Sequence, residues 1–307
     1  MKPDILFFFL FLVLVGCKKS IIEIETVPIT DNYIEKIEFP EDYRIQSISK
    51  WQNNFLSYNN STPVIDVYDI EFNLESTYKK SGFGPGEFQK IDSAVIIDNR
   101  IIVYDSVKKS FEIFDRDFNN LGSIPTKHKI ISLVAHEDGS IYAGSLDMKQ
   151  YYIVKFEGHL LEKETIILVR DIDEILKGFH SLSIKNDNLF IANIMTNTGI
   201  ILNLENGKVI NIENPFMEKQ PEFVYQGEYK LPKQPVWRAG VVTEKHFFQL
   251  KNLDSGESII YRGNFDGDIN KSFTFDEHIA SIISIDNQFW IFTGTSLKKY
   301  PLTKFTN

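Results

Sequence analysis

The chain has 307 residues, of which 43% are hydrophobic and 13% aromatic, and its formal net charge is −9. This length allows one to three domains with a large core, and the abundance of aromatic residues suits pleated strands better than helices. The acidic balance argues against a general nucleic-acid surface, which needs a basic field.

The first residues, MKPDILFFFLFLVLVGCKKS, contain an apolar run at 5–15. This run is too short to span a bilayer as a stable helix, but it has the length of a signal-peptide core. The segment LVGC (14–17) resembles a bacterial lipobox, in which cleavage precedes a cysteine that then carries acyl chains. Cys17 is the only cysteine, so it cannot form an internal disulfide. We therefore expect a lipoprotein signal peptide at 1–16 and lipidation of Cys17; the alternative is an ordinary signal peptide with a chance cysteine.

Residues 17–32 form a short segment of mixed polarity in which we predict no domain. We expect them to act as a tether after the lipidated cysteine, and two or more acyl chains would hold such a protein durably at a membrane. The folded domain is predicted to span residues 33–307.

A polar turn followed by a short apolar strand recurs six times along this domain, for example as IDNRIIVYD (97–105) and IDNQFWIFT (285–293). The equivalent apolar positions are Phe55, Ile101, Ile141, Leu189, Phe247 and Phe289. Their spacing is near the roughly 40–50 residues of a four-stranded propeller blade. The repeat predicts an all-β, six-bladed β-propeller with four-stranded antiparallel blades.

Each repeated strand is preceded by an apolar strand and followed by a third strand, and most units add a more polar fourth strand. This gradient predicts that the first strand is buried between blades and that the fourth strand meets solvent. The sixth unit lacks its fourth strand, while YIEKIEF (33–39) is spare. We predict that 33–39 completes the last blade and closes the ring.

The stretch SGFGPGEFQK (81–90) falls between the first and second units. Its glycines permit positive φ and its proline fixes φ, which suits a sharp, defined bend. A phosphate cradle would need a following helix, whose periodicity is absent, and direct ligand contact is a further alternative. We predict a structural inter-blade joint formed by Gly82, Gly84, Pro85, Gly86, Glu87 and Phe88, in which Glu87 accepts backbone N–H bonds and Phe88 packs between blades.

Unit two, GFGPGEFQKIDSAVIIDNRIIVYDSVKKSFEIFDRDFNN (82–120), resembles NHL-type blades and the TolB-like six-bladed propeller lipoproteins of Gram-negative bacteria. The resemblance rests on the joint at 82–88, on IVYD (102–105) and on FDRD (114–117); the usual turn glycine is replaced near Asn119-Asn120. It covers about 40 residues and implies the fold and a cell-envelope setting. The resemblance assigns no reaction and no catalytic residues to this chain, because the family offers no settled chemistry.

Catalytic and metal signatures are absent from the sequence. There is no G-x-S-x-G elbow, no HExxH and no CxxC, and the six histidines have no metal-ligand spacing. The segment NFDGDIN (264–270) could suggest calcium, but Asp-Gly is a common hairpin turn and an EF-hand needs a longer ladder of acids. We predict no metal and no cofactor.

The one long spacing reflects an insertion at 214–238, which is rich in aromatic and basic residues. Long loops are usually functional or disordered, and aromatic and arginine side chains are typical of binding surfaces. The candidate ligand- or partner-binding residues are Tyr225, Tyr229, Trp237 and Arg238. The alternative is a loop whose aromatic residues only cover the rim of the ring.

These features predict a monomeric, lipid-anchored binding module of the cell envelope. We expect it to be attached to a bacterial membrane, the outer membrane being favoured, and to face the periplasm or the cell surface. Its partner would be an envelope protein or a small ligand at the channel face, without nucleic acid. The alternative is a calcium-dependent, lactonase-like propeller hydrolase, although no convergent ligand set is visible in the sequence.

Overall fold

The structure is a computed structural model. It describes residues 24–29, 33–38, 47–51, 54–59, 63–69, 71–147, 149–171, 180–194, 196–216, 223–226, 229–232, 239–293 and 296–306. Within these ranges nearly all regular secondary structure is β-sheet.

The strands are numbered in chain order. Two N-terminal strands are β1 (Glu25–Pro28) and β2 (Glu35–Glu38). Blade one contains β3 (Ser47–Trp51), β4 (Asn54–Asn59), β5 (Val64–Tyr68) and β6 (Leu74–Tyr78). Blade two contains β7 (Ile91–Ile97), β8 (Arg100–Asp105), β9 (Ser110–Phe114) and β10 (Asn120–Pro125). Blade three contains β11 (Ile130–Ala135), β12 (Ile141–Leu146), β13 (Gln150–Glu157) and β14 (Lys163–Asp171).

Blade four contains β15 (His180–Lys185), β16 (Asn188–Asn193), β17 (Thr198–Asn203) and β18 (Val209–Glu213). A separate hairpin follows, with β19 (Phe223–Gln226) and β20 (Tyr229–Pro232). Blade five contains β21 (Ala239–Val242), β22 (His246–Asn252), β23 (Ser258–Asn264) and β24 (Ile269–Phe275). Blade six contains β25 (Ile279–Ile285), β26 (Gln288–Thr293) and β27 (Ser296–Pro301), and a single-turn helix α1 (Thr303–Thr306) follows.

The first strands of the blades form a closed ring. Strand β3 contacts β7, and contacts then continue through β11, β15, β21 and β25 back to β3. The antiparallel order within each blade places the connections between blades and the loops between second and third strands on one face, here called the joint face. The other turns lie on the opposite face, the turn face. The predicted six-bladed propeller is confirmed.

The ring closes through the N-terminal part of the domain, as the spare strand at 33–39 predicted. Strand β2 pairs antiparallel with β27, from Glu35 opposite Lys299 to Glu38 opposite Ser296. The Ile34 N–H extends this ladder by donating to the Lys299 carbonyl at 2.6 Å. Blade six thereby obtains its fourth strand, which covers an edge that would otherwise be open to pairing with another chain.

A further N-terminal strand was not predicted. Strand β1 pairs in parallel with β24, with Glu25 opposite Lys271 and Pro28 opposite Thr274, and gives blade five a fifth strand. These residues lie within 17–32, the range in which the sequence indicated only a tether. Because β24 runs from the turn face to the joint face, β1 also enters from the turn-face side.

The core lies between neighbouring blades and is built mainly from second and third strands. All six repeated apolar positions are buried, and every residue of β8, β9 and β12 is buried. The fourth strands β6 and β14 are largely exposed, as predicted, whereas β24, which pairs with β1, is mostly buried. The prediction that first strands would be buried is confirmed for β7 but not for β15, which is only half-buried throughout. The free edges of the inner strands line a central channel.

The turns between third and fourth strands replace glycine with phenylalanine in two blades. Phe72 and Phe118 have φ of 62° and 58°, while blade five has Gly267 at 95°. In blade two this residue directly precedes the Asn119-Asn120 pair, near which the usual turn glycine is replaced. Phe118 stacks on Tyr78 of blade one, with ring centroids 4.8 Å apart, so an interblade contact offsets the backbone strain.

Candidate functional site

A cavity of about 1100 Å³ occupies the channel between the inner strands. Five blades place a serine at the same register, opposite the residue three positions after the repeated apolar position; these are Ser47, Ser93, Ser132, Ser181 and Ser281. The Ser181 hydroxyl accepts a hydrogen bond from the Gly240 N–H at 3.2 Å. Between blades four and five, the inner-strand serine Ser181 thus satisfies a backbone N–H at the free edge of β21, which pairs with no further described strand on that side.

Charged and polar side chains line the end of the channel at the turn face. Lys185 pairs with Glu137 at 3.3 Å, and His136 Nε2 lies 2.9 Å from the Asn186 carbonyl oxygen, so adjacent turns of blades three and four are linked. This mouth has both signs of charge and is suited to polar ligands without favouring one sign.

Two histidine-containing turns at this mouth have shifted protonation equilibria. Burial, together with the positive charges of Arg262 and Lys245, lowers the pKa of His246. Burial opposes the charged form of Asp138, but hydrogen bonds from Ser140 and from His136 outweigh it and lower the pKa of Asp138. Near neutral pH, His246 therefore favours its neutral imidazole form and Asp138 its carboxylate form.

The Gly82–Phe88 segment lies on the joint face between β6 and β7. The Gly84 N–H donates to Glu87 Oε2 at 2.8 Å, and the Glu87 N–H donates to the Gly84 carbonyl at 3.1 Å. A Cβ at Gly82 would lie 1.9 Å from the Glu87 carboxylate, so a larger residue there would force Glu87 to move, and Gly86 has φ of 74°. The loop is thus closed on itself by Glu87.

A buried ion pair holds this loop from below. Lys108 Nζ lies 2.6 Å from Glu112 Oε1 and donates to the carbonyls of Gly84 and Glu87 at 2.9 and 3.0 Å. Glu112 Oε2 accepts the Gly86 N–H at 3.0 Å. The two charges are buried and fully hydrogen-bonded, which is the condition under which a buried pair is tolerated.

Phe88 anchors the same loop to the core between blades one and two. Its ring is fully buried and meets Tyr78 of blade one and Phe114 of blade two edge-on, at 5.8 and 5.6 Å. Pro85, in contrast, is exposed at the tip of the bend. The local contacts are those of a rigid joint, and no phosphate-type cradle opening a helix is present in the described part of the chain.

The 214–238 insertion starts from a buried polar base between blades four and five. The Asn214 N–H donates to the Asn197 carbonyl at 2.8 Å, Asn197 Nδ2 donates to the Asn214 carbonyl at 2.9 Å, and Asn214 Nδ2 reaches Gln249 Oε1 at 3.2 Å. Phe216 then stacks on Tyr261, with centroids 6.2 Å apart. The first residues of the insertion, Asn214 and Phe216, are therefore held in place at the joint face.

The predicted binding residues of the insertion are only partly described. Tyr225 and Tyr229 lie in the β19–β20 hairpin, where Tyr225 pairs with Lys230 and Gln226 with Tyr229. Trp237 and Arg238 lie outside the described residues, just before β21 begins at residue 239. Cys17 also lies outside the described residues.

The described residues contain no group of three or more histidine, cysteine or acidic side chains arranged to hold a metal ion. At the segment considered for calcium, Asn264 Oδ1 accepts the N–H groups of Asp266 and Asp268 at 3.0 Å each, which is a hydrogen-bonded turn. No helix in the described part of the chain has the length and apolarity needed to cross a membrane.

No protein-family model and no curated protein matches this sequence. Among solved structures, a candidate exported protein of Bacteroides fragilis shares 13% identity over 87% of each chain, with a TM-score of 0.59. Virginiamycin B lyase of Staphylococcus aureus shares 10% identity over 87% of this chain and 88% of its own, with a TM-score of 0.55. A chain of a nidogen–laminin complex shares 10% over 76% and 86%, with a TM-score of 0.51. These likenesses concern the fold alone.

Proposed function

We propose that this chain is a lipid-anchored protein of the bacterial cell envelope whose propeller binds a protein partner or an envelope ligand through its joint face. The anchor rests on the signal-like run and on the lone Cys17. The proposal does not follow from the fold, since propellers occur both in a lyase and in a protein–protein complex.

The observation that carries the binding role is the 214–238 insertion with its buried Asn214–Asn197–Gln249 base. A long segment rich in aromatic and basic residues is tied to a rigid scaffold beside the channel, and such an arrangement is typical of binding loops. Tyr225, Tyr229, Trp237 and Arg238 are the residues we assign to contact with the partner. A captured partner is expected to bind the Arg238→Ala variant at least about tenfold more weakly.

The anchor is tested at Cys17. Cys17→Ser should abolish incorporation of a palmitate analogue in cells, because no other thiol exists in the chain. Labelling is read by in-gel fluorescence, and a known envelope lipoprotein in the same cells serves as the positive control. Undiminished labelling of the variant would refute acylation at this residue.

A further inference from the structure

The joint face of blades two and three exposes apolar side chains within a group of lysines. Phe83 is 71% exposed and Val107 is 54% exposed. Phe83 precedes Gly84, whose carbonyl accepts from Lys108, and Lys108 follows Val107, so the two exposed side chains flank one contact. We call Phe83 and Val107, with Lys79, Lys80, Lys109 and Lys129 of the neighbouring joint-face segments, the basic–apolar patch.

The exposure of Phe83 is not a consequence of a loose loop. The loop is closed by Glu87, clamped by Lys108 and Glu112 from below, and anchored by Phe88. An aromatic ring held outward by a rigid loop loses little conformational entropy on binding, which favours a role as an interface anchor.

The three connecting segments that form this region are basic in an acidic protein. Residues 79–90, 105–110 and 126–129 contain seven lysines and two acidic residues, Glu87 and Asp105. Both acids are engaged with backbone N–H groups: Glu87 with Gly84 and Asp105 with Val107 and Gln89.

Three of the seven lysines form an ion pair with an acidic residue of the described part of the chain, and four do not. Lys90 pairs with Asp92, Lys108 with Glu112 and Lys127 with Glu164. The remaining lysines are exposed and, within the described residues, form no ion pair; they are Lys79, Lys80, Lys109 and Lys129. Across the ring, the joint-face segments of blades five and six carry acidic residues instead, including Asp254 and Glu257.

From this juxtaposition we infer that the basic–apolar patch docks an acidic segment of a partner protein that carries an apolar side chain for Phe83 and Val107. Charge complementarity selects the acidic segment, and the exposed aromatic ring selects the apolar residue. This inference deepens the proposed function by giving the chemistry of the partner at the joint face.

An anionic membrane is the competing source of negative charge, and the path of the chain disfavours it. Strand β1 enters on the turn-face side of blade five, which stands opposite blade two in the ring. Seven residues lie between Cys17 and Glu25, and the eight Cα-to-Cα steps between the two reach at most about 28 Å when fully extended. With Cys17 acylated as proposed, the membrane lies beside blade five at the turn face. The patch lies on the opposite face, the joint face, and therefore faces away from the membrane.

The test is fluorescence anisotropy with full-length protein in a non-ionic detergent. The probe is a fluorescein-labelled ten-residue peptide of Glu and Asp with one central Phe, compared with the same peptide carrying Ala at that place. We expect the Phe peptide to bind, the Ala peptide to bind about fivefold or more weakly, and binding to weaken as salt rises from about 50 to 300 mM.

Matched variants locate the binding. Phe83→Ala and Lys129→Glu should each weaken the Phe peptide about fivefold or more, whereas Leu74→Ala, an exposed apolar residue of β6, and Lys208→Glu, on the turn face, should change it less than about twofold. All four residues are exposed, and unchanged melting of each variant verifies folding. The inference is overturned if the peptide does not bind at about 1 mM, or if Phe83→Ala and Lys129→Glu bind it like the parent.

A membrane role is examined with bimane attached to the Phe83→Cys variant in phosphatidylglycerol vesicles containing doxyl-lipid quencher. Absence of quenching supports a protein-facing patch, and quenching overturns it. The anchor is assessed separately by palmitate labelling. If the parent protein is not labelled but still shows Phe83-dependent peptide binding, the anchor is refuted and this inference is supported. If the parent is labelled at Cys17 but does not bind the peptide, the anchor is supported and this inference is overturned.

Discussion

Glu112→Gln is expected to lower the free energy of unfolding by about 3–5 kcal/mol, because it leaves the buried Lys108 ammonium without its counter-charge. Both side chains are almost completely buried, and the Glu112 carboxylate also accepts hydrogen bonds from the hydroxyls of Ser110 and Ser123 at 2.8 and 2.7 Å. The amide of glutamine keeps the shape but cannot neutralise the lysine. Urea denaturation followed by tryptophan fluorescence measures the change.

A double-mutant cycle separates the pair from the rest of the network. Lys108→Met alone should also destabilise strongly, and the Lys108→Met/Glu112→Leu variant should be more stable than the sum of single effects predicts, by about 1–3 kcal/mol. The neighbouring exposed Lys109→Met variant is the control and should stay within about 0.5 kcal/mol of the parent. A loss below about 1 kcal/mol for Glu112→Gln would show that the pair does not hold the joint.

Opening the ring is the second large change. Replacing residues 33–39 by a Gly/Ser linker of equal length removes the four-residue pairing of β2 with β27. Each lost ladder hydrogen bond contributes about 0.5–1.5 kcal/mol, and the edge-on contact of Tyr33 with Tyr300 at 6.3 Å is lost as well. We expect a clearly lower melting temperature by calorimetry and increased aggregation through the open edge of β27.

The equal-length linker keeps the reach of β1 to blade five, so the effect reports on β2 alone. Glu38→Ser, at an exposed position of β2, retains the backbone pairing and should melt close to the parent. An unchanged melting temperature for the linker variant would mean that closure contributes nothing to stability.

The ring could be predicted from the sequence because each blade repeats a turn and an apolar strand, and because one spare strand matched one missing strand. The six apolar positions from Phe55 to Phe289 are all buried. Strand β1 could not be predicted, since ETVP is short and pairs with β24 about 246 residues away. Such nonlocal parallel pairing leaves no pattern in the local sequence.

Two turns between third and fourth strands share a sequence pattern from which their conformation could have been predicted. DIEFN (69–73) and DRDFN (115–119) share Asp-x-x-Phe-Asn, and in both the first Asp accepts the N–H of the final Asn at 2.8 Å. The shared pattern indicates phenylalanine at the positive-φ position, which a search for glycine misses.

The parts of the candidate site differ in how well they could be predicted from the sequence. The bend at 82–88 follows from glycine and proline. Lys108, in the turn before β9, and Glu112, in β9 itself, look like a solvated pair in the sequence, but they are buried because the joint folds over them. The shared position of the inner-strand serines depends on strand register in five blades, which the sequence alone does not fix. Trp237 and Arg238 lie outside the described residues, so their contribution to binding stays a prediction.

The central claim is that a partner binds through the joint face, and its most direct test is the affinity of a captured partner for variants of the insertion. The partner is captured by site-specific photo-cross-linking in intact envelopes, and its affinity is then measured for the parent, Arg238→Ala, a variant with residues 217–236 shortened to a Gly/Ser turn, and Lys208→Ala on the turn face as control. We expect Arg238→Ala and the shortened variant to bind at least about tenfold more weakly, with Lys208→Ala unchanged. Equal affinity of the parent and both insertion variants would contradict the claim and return the insertion to a structural role at the rim of the ring.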